Sequence, residues 1–227
     1  MEPADVDRLT PVAQDYLKAI WSAVEWQDPP VTTTALADRF GTSRAAVSDT
    51  MRRLASQELV VYQPYHPVTL TPVGERLAIA MVRRHRLIET FLAEVVGYQW
   101  DEVHDDAERL EHAASPLFLD RIDTLLGHPA TDPHGDPIPA ADGQHRQQPS
   151  IPLSGATPGR YRVLRVADTE PTRLSRLRSL GISLGTLLSV TSPPTHYLAE
   201  DTGAVPMTDD DVDAIRVIPA SPSPASR

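Results

Sequence analysis

The sequence has 227 residues, enough for one large domain or for two or three small ones. Its 41% hydrophobic and 23% charged residues are ordinary for a globular protein, it has no long apolar run, and its first residues lead us to expect no signal peptide. We therefore expect a cytoplasmic protein without a membrane partner. The absence of cysteine excludes disulfides, iron–sulfur clusters and thiolate zinc sites, so any metal must be held by nitrogen and oxygen.

The net charge of −10 is unevenly distributed along the chain. Residues 31–86 contain eight arginines, no lysine and four acidic residues, whereas residues 87–142 contain two arginines and thirteen acidic residues. A basic segment followed by an acidic one suggests a module that binds a polyanion beside a module that binds cations.

The first 75 residues predict a helix-turn-helix followed by a wing. Apolar spacing predicts helices over residues 12–26, 34–40 and 43–57, with Gly41 in the turn before the third helix. Two short β-branched runs, 59–62 and 68–71, surround a turn with two prolines and predict paired strands. This order of elements favours binding to double-stranded DNA.

The third helix would carry the residues that contact DNA. Arg44, near its N-terminus, is the best candidate for reading a base or a phosphate, and the later arginines would contact phosphates. Asp49 could accept a hydrogen bond from a cytosine or orient an arginine. The candidate DNA-binding residues are Ser43, Arg44, Ala45, Ser48, Asp49, Arg52 and Arg53.

Helical patterns continue over residues 75–95, 100–115 and 117–126, after which proline and glycine become dense. Strand patterns at 160–167 and 187–191 predict a compact β-rich unit. We therefore expect a mainly α fold with a β-rich C-terminal domain. Its predicted parts are a winged helix-turn-helix domain (1–74), a helical dimerisation and metal-binding domain (75–141), a linker (142–157), a small β domain (158–219) and a disordered tail (220–227).

Two groups of histidine and acidic residues predict metal binding. His104, Glu108, Glu111 and His112 fall within an arc of roughly 100° on one helical face. His85 and Glu89 form a second pair, one helical turn apart. Imidazole and carboxylate ligands suit a cation such as Mn²⁺ or Fe²⁺. The alternative is a solvated acidic face with stabilising i,i+4 pairs.

The chain resembles the DtxR/MntR (diphtheria toxin repressor) family of metal-dependent transcription repressors. The matching segments are residues 13–20, the winged helix, 82–89, 103–112 and Gly-Asp-Pro-Ile-Pro at 135–139. More weakly, residues 160–218 are similar to the SH3-like, FeoA-type small barrel of long-chain members. The two metal motifs, 82–89 and 103–112, follow the winged helix in this order, and this combination makes the resemblance specific.

The resemblance implies two metal sites in each subunit. The primary site maps onto Asp15, Glu108, Glu111 and His112. The ancillary site maps onto His85, Glu89 and His104, completed from the small barrel by Glu170, with Asp168 as the alternative. Arg173 stands where iron-type members carry a glutamine ligand and cannot coordinate a cation.

The resemblance also bears on the choice of metal. Iron-type members carry methionine and cysteine where this chain has Asp15 and Glu108, so the two carboxylates follow the manganese-type pattern. Short-chain manganese regulators have a glutamate in register with Lys18 and use it in a binuclear site. Because an ammonium group cannot coordinate a cation, we expect the second metal at His85, Glu89 and His104 instead.

The family implies a homodimer that binds palindromic operator DNA when Mn²⁺ is bound and represses manganese-uptake genes. An iron-dependent repressor of the same family is the main alternative, because Fe²⁺ accepts the same ligands. Two further alternatives are a metal-independent winged-helix regulator and a metalloenzyme built on the same clusters. The motifs contain no candidate nucleophile, so no enzyme activity is expected.

Overall fold

The structure is a computed structural model that describes residues 3–26, 29–145, 148–168, 170–192, 196–199 and 203–220. The chain forms two compact units. The first contains the described residues of 1–85, 109–121 and 138–145, and the second those of 86–108, 122–137 and 146–227. The division cuts three helices, so each unit is built from segments that are distant in the sequence.

The first unit begins with three helices, α1 (Pro11–Trp26), α2 (Thr33–Arg39) and α3 (Arg44–Ser56). The hydroxyl groups of Thr32 and Ser43 accept hydrogen bonds from backbone N–H groups in the first turns of α2 and α3. These caps fix where both helices start. Gly41, with φ of +59°, makes the turn between them.

A two-stranded antiparallel wing follows α3. Strand β1 (Val60–Val61) pairs with β2 (Thr69–Leu70), with Val60 opposite Leu70. The helices and the wing share one hydrophobic core that includes Leu17, Ile20, Leu36, Val47, Met51, Leu54 and Val60. The predicted winged helix-turn-helix is therefore present.

Three further helices follow, α4 (Pro72–Phe91), α5 (Val103–Glu111) and α6 (Pro116–Leu125). A π-helical turn, Leu92–Val96, extends α4 and ends at Gly97, whose φ is +91°. Helix α5 starts three residues later than its apolar pattern predicts. Glu102 instead accepts a hydrogen bond from the backbone N–H of Gln99, which stabilises a turn before the helix.

The C-terminal part of the second unit is a six-stranded antiparallel sheet with the order β3-β8-β4-β5-β6-β7. Helix α7 (Pro171–Ser179) lies between β4 and β5 in the chain, and α8 (Asp209–Asp213) lies between β7 and β8. The strands are β3 (Ile151–Pro152), β4 (Gly159–Val166), β5 (Leu187–Ser192), β6 (His196–Ala199), β7 (Gly203–Val205) and β8 (Ile215–Pro219). A mainly α fold with a β-rich C-terminal domain is thus confirmed.

Residues 151–155 lie in the segment that the sequence assigns to a linker. They form β3, which pairs with β8, and a 3₁₀ turn (Leu153–Gly155) whose Leu153 is buried in the core of the sheet. The domain limits stay a prediction. Of the predicted tail, residues 221–227 lie outside the described residues.

None of the helices in the described part of the chain combines the length and the apolar character needed to span a bilayer.

Candidate metal centre

A first group of metal-ligating side chains lies in the first unit. Asp15 lies on α1, Glu111 is the last residue of α5, and His112 follows it. Each offers a ligand atom, and these atoms all lie within 4.8 Å of one another. His112 Nε2 is 3.0 Å from Asp15 Oδ1 and 3.9 Å from Glu111 Oε1. The predicted combination of Asp15 with Glu111 and His112 is therefore formed by contact between two helices.

Glu111 is completely buried and pairs with two basic groups of the same unit. Lys18 Nζ donates to Glu111 Oε1 over 2.7 Å, and His85 Nδ1 lies 2.7 Å from Oε2. Burial alone would raise the pKa of Glu111, but the hydrogen bond to His85 and the charge of Lys18 together lower it. Glu111 is thus held as a carboxylate, the form in which it can bind a cation.

A second group lies in the second unit and contains Glu89, His104 and Asp168. His104 Nδ1 is 3.3 Å from Glu89 Oε1 and 3.5 Å from Asp168 Oδ2. Burial lowers the pKa of His104, but its bonds to the two carboxylates raise it to about 10. His104 conversely holds the pKa of Asp168 below its usual range, despite the opposing effect of burial. The field that holds a proton on His104 would also favour a divalent cation in its place.

Glu89 also belongs to a third group, with Asp132 and His134, in which all three residues are buried. His134 Nδ1 is 3.8 Å from Glu89 Oε2, and its Nε2 donates to the backbone carbonyl of Trp100 over 2.7 Å. Burial lowers the pKa of His134, but the Glu89 carboxylate raises it to about 10. Burial and the charge of Asp136 raise the pKa of Asp132 to about 8. The two oxygens of Glu89 thus face two different imidazoles.

Sequence reasoning missed Asp132 and His134 as candidate ligands, and it left Asp168 as the alternative to Glu170. The first two lie in Asp-Pro-His-Gly-Asp, where the proline and glycine predict a loop. His134 lies between two aspartates in the sequence, and its packing against Glu89 depends on tertiary contacts that the local sequence does not reveal. Histidine and aspartate are metal-ligating residue types, and this was the one signal in the sequence. Their spacing has no helical period that would place them on a common face.

Asp168, rather than Glu170, is the carboxylate beside His104. Glu170 has a side chain 56% exposed that pairs with Arg173 at 3.1 Å, and it belongs to none of the candidate metal groups among the described residues. The residue of the C-terminal domain that lies beside His104 is thus two positions before Glu170. Of the two carboxylates that the sequence offers, Asp168 is therefore the one that lies beside His104.

The two remaining predicted ligands lie where the division between the units cuts a helix. His85 precedes Glu89 by one turn of α4, and Glu108 precedes Glu111 and His112 by about one turn. Within the second unit, Glu108 Oε1 is 3.7 Å from His104 Nε2. All eight predicted positions except Glu170 thus lie in, or one helical turn from, a candidate group.

The candidate groups fit a divalent cation of intermediate hardness. Their ligand atoms are carboxylate oxygens and imidazole nitrogens, the set that suits Mn²⁺ and Fe²⁺. Asp15 Oδ1 lies 3.0 Å from His112 Nε2. A cation bound by both atoms would offset the repulsion between their lone pairs.

On helix α3, which the sequence predicts to contact DNA, the predicted residues lie at the surface. Ser43, Arg44 and Ala45 are exposed at its N-terminal end, and Ser48 is half-buried. Asp49 forms an exposed ion pair with Arg52, and Arg53 lies 3.4 Å from the hydroxyl of Thr50. Asp49 thus orients an arginine, one of the two roles considered for it.

Two family models match consecutive parts of the chain. Residues 8–68 match the iron dependent repressor N-terminal DNA binding domain, and residues 71–140 match the iron dependent repressor metal binding and dimerisation domain. Together they span more than half of the sequence. The matched residues include Asp15, helix α3 and the histidine and acidic residues of α4 and α5.

Individual proteins agree with these matches. The diphtheria toxin repressor of Corynebacterium efficiens is 31% identical over 221 residues, which cover 92% of this chain and 96% of that protein. The iron-dependent repressor IdeR of Mycobacterium tuberculosis is 35% identical over 134 residues, 59% of this chain and 58% of that protein. A solved structure described as a manganese-dependent transcriptional repressor in complex with manganese is 45% identical, with a TM-score of 0.86, and the match covers 92% of this chain and all of that one.

Both the family models and the near full-length relative point to repressors rather than enzymes. This chain therefore belongs to the diphtheria toxin repressor family of metal-dependent transcriptional repressors.

Proposed function

We propose that this protein is a manganese-dependent repressor that binds palindromic operator DNA as a homodimer and controls manganese homeostasis genes in the cytoplasm. The observation that carries the proposal is the group Asp15, Glu111 and His112, in which α1 supplies a carboxylate instead of a sulfur ligand. Glu108, one turn away on α5, adds a second hard oxygen to this set. Hard oxygen ligands favour Mn²⁺ over softer competitors.

The group of Asp15, Glu111 and His112 connects α1 to the end of α5. Helix α1 shares its hydrophobic core with α2 and α3, so restraining α1 also restrains the helix that reads DNA. A bound divalent cation would supply the positive charge that keeps the clustered carboxylates and His112 together. The residues themselves therefore couple occupancy of the site to the position of α3.

A second cation in each subunit would be held by Glu89, His104 and Asp168, with His85 one turn before Glu89 on α4. Asp132 and His134 offer a further carboxylate and imidazole to the same Glu89 side chain. A count of two cations per subunit follows from these two sets. All the proposed ligands are oxygen and nitrogen donors.

The DNA-binding residues of the proposal are those predicted on α3. Arg44 and its neighbours Ser43 and Ala45 are exposed at the end of the helix that enters the major groove in winged-helix proteins. Ser48 lies on the next turn. Arg52, oriented by Asp49, and Arg53 would contact phosphates.

Helix α6 supports the homodimer. It exposes three large apolar side chains, Leu117, Phe118 and Leu125, which are 65%, 46% and 64% exposed. Clustered apolar side chains at the surface of a helix are typical of an interface between subunits. The helix lies within the segment that matches a dimerisation domain.

An iron-dependent repressor of the same family is the second candidate function. The observation that favours it is the likeness to the diphtheria toxin repressor and to IdeR, an iron-dependent repressor. Oxygen and nitrogen ligands also accept Fe²⁺, which binds such sites more tightly than Mn²⁺ in general.

The deciding experiment measures binding of the purified protein to DNA selected from a randomised double-stranded library, with Mn²⁺, Fe²⁺, Co²⁺ or Zn²⁺ or with no added metal. We expect Mn²⁺ to tighten DNA binding by roughly 5–150-fold, a typical range for coupled sites. Asp15→Ala should abolish this gain, and Glu170→Ala serves as the matched carboxylate control. Equal DNA affinity with and without metal would refute the proposal, and activation by Fe²⁺ at lower free concentration than Mn²⁺ would favour the iron alternative.

A further inference from the structure

Gln14 connects the N-terminal segment to His112 through its side-chain amide. It is buried, and its Nε2 donates to the backbone carbonyls of Val6 and Leu9 over 2.9 and 3.2 Å. Its Oε1 is 2.7 Å from Nδ1 of His112. All four residues belong to the first unit.

The two carbonyls decide how the amide is oriented. A backbone carbonyl only accepts hydrogen bonds, so the NH₂ end of Gln14 must face Val6 and Leu9. The oxygen end therefore faces His112, where it accepts a hydrogen bond from Nδ1. A reversed amide would lose both bonds to the carbonyls and set its NH₂ group against the ring.

This orientation decides which nitrogen of His112 can bind a cation. With the proton of Nδ1 committed to Gln14, a neutral ring presents its lone pair at Nε2. Nε2 is the nitrogen that lies 3.0 Å from Asp15 Oδ1 and 3.9 Å from Glu111 Oε1. Histidines that bind metals commonly donate their other N–H to an acceptor that fixes the ring in this way.

We infer that Gln14 is a positioning residue of the sensing site, which holds His112 as the Nδ1–H tautomer with Nε2 directed at the cation. The inference rests on the proposed function of Asp15, Glu111 and His112 as the sensing site. Without an acceptor at Nδ1, the ring proton is free to occupy either nitrogen and the ring is free to turn. A part of the population would then present an N–H to the cation.

Two variants separate the acceptor role of Gln14 from its structural role. Gln14→Leu and Gln14→Glu both remove the N–H groups that satisfy the carbonyls of Val6 and Leu9, so both should lower the temperature of thermal unfolding. Only Gln14→Glu keeps an oxygen for Nδ1 of His112. We expect Gln14→Leu to weaken Mn²⁺ binding at the sensing site by roughly 10–100-fold, the usual effect of losing such a partner, and Gln14→Glu to restore most of it.

Mn²⁺ binding is measured by titration calorimetry of the full chain, in the wild type and in an Asp168→Ala background that isolates the sensing site. The tautomer is read directly from long-range ¹⁵N–¹H correlation spectra of the His112 ring, recorded without added metal at mildly alkaline pH in an Asp15→Ala background, which removes the carboxylate that competes for a proton on Nε2. In this background we expect the Nδ1–H form with Gln14 and with Gln14→Glu, and its loss with Gln14→Leu.

The outcomes distinguish this inference from the proposed function. An Nε2–H tautomer in the Asp15→Ala background with Gln14 intact, or wild-type Mn²⁺ affinity in Gln14→Leu, would overturn the role of Gln14. If the wild type fails to bind Mn²⁺, the proposed function fails, while the spectra still decide whether Gln14 sets the tautomer.

Discussion

Lys18 is a buried cation in direct contact with a proposed metal ligand. Its side chain is 7% exposed, and its ammonium group lies 2.7 Å from Glu111 Oε1 and 3.3 Å from Nδ1 of His85. Glu111 itself is completely buried, so it needs a positive partner. Lys18 supplies that charge from within the chain.

Lys18→Met should therefore destabilise the protein by up to about 3–5 kcal/mol, the typical cost of removing one partner of a buried ion pair, because only His85 would remain beside Glu111. Because Mn²⁺ would then replace the missing positive charge, added Mn²⁺ should raise the unfolding temperature more in this variant than in the wild type. Urea unfolding with and without Mn²⁺ measures the loss of stability, and thermal unfolding under the same two conditions measures the shift.

The exposed pair of Arg52 and Asp49 provides the control for Lys18→Met. Its side chains are 64% and 73% exposed, and pairs at the surface contribute about 0–1 kcal/mol. Arg52→Met should accordingly leave stability almost unchanged. An equally small effect of Lys18→Met would show that Lys18 does not compensate Glu111.

The second cation set gives a prediction about two carboxylates that are close in sequence. Asp168→Ala should remove a ligand beside His104 and reduce the Mn²⁺ stoichiometry from two to one per subunit, or weaken the second site at least about tenfold. Glu170→Ala should change neither, because Glu170 pairs with Arg173 at the surface. Calorimetric titration with Mn²⁺ measures both variants, and a loss of binding in Glu170→Ala alone would reverse the assignment.

At the residue scale, the sequence named the proposed ligands on helices, whereas it missed Asp132 and His134 in a loop and left Glu170 and Asp168 as alternatives. Helical spacing brings Glu111 and His112 onto one face, and Asp15 was identified through the family motif. Asp168 and Asp132 lie in loops, where no period relates sequence position to side-chain direction. The sequence therefore favoured Glu170, whereas the carboxylate beside His104 is Asp168, two residues earlier.

At the scale of elements, the loop of residues 132–136 is held against β4 by a close approach of two backbones. Gly135 has φ of +88°, and a Cβ atom at this position would lie 2.1 Å from the carbonyl oxygen of Leu164. The backbone N–H of Val166 donates to the carbonyl of His134 over 2.9 Å. This contact places His134 beside Glu89.

Gly135→Ala should destabilise the protein by more than the roughly 1–2 kcal/mol that an alanine costs in the left-handed region, because the loop must also move away from β4. The movement would carry His134 with it and weaken the second Mn²⁺ site. Thermal unfolding and Mn²⁺ titration measure the two effects. Gly97→Ala is the matched control, since Gly97 has a φ of +91° but open space around the added Cβ; equal effects of the two variants would contradict this account.

Helix α8 gives a prediction about pH. Burial would raise the pKa of Asp211, but hydrogen bonds from the N–H and hydroxyl of Thr208 and the charge of Arg176 together lower it. Oδ2 of Asp211 accepts from Thr208 N over 2.8 Å and from Arg176 Nε over 3.0 Å. The ionised form is therefore favoured in the folded state.

Because the folded pKa is lowered, Asp211 stabilises the fold fully above its unfolded pKa of about 3.9, and this contribution disappears as pH falls through the folded value. Asp211→Asn should be less stable than the wild type at pH 7, and the difference should shrink as pH falls below about 4. Urea unfolding across this range measures it. A difference that persists unchanged at low pH would mean that the charge of Asp211 is irrelevant.

Local elements were easier to predict than their pairing. The apolar period located α1, α2 and α3 to within one residue at each end. The sheet order was not predictable, because β8 pairs with β3 and β4, which lie more than 45 residues earlier. Such pairing depends on long-range packing rather than on any local pattern.

At the scale of the whole molecule, charge is divided along the chain in a way that suits two partners of opposite sign. The net charge of −10 would repel DNA, yet residues 31–86, which include α2, α3 and the wing, carry eight arginines. The surplus acidic residues follow in 87–142, where several are proposed cation ligands. Neutralising these acids with divalent cations would also reduce the charge that opposes DNA binding.

The sulfur-free ligand set has a consequence for cells under oxidative stress. Thiolate ligands are converted by peroxide to sulfenic and higher acids, which no longer bind metal in the same way. Every proposed ligand here is a carboxylate or an imidazole, and the chain has no cysteine at all. Peroxide thus has no thiol in this repressor to attack, and its response to metal should persist where a cysteine-dependent relative would be inactivated.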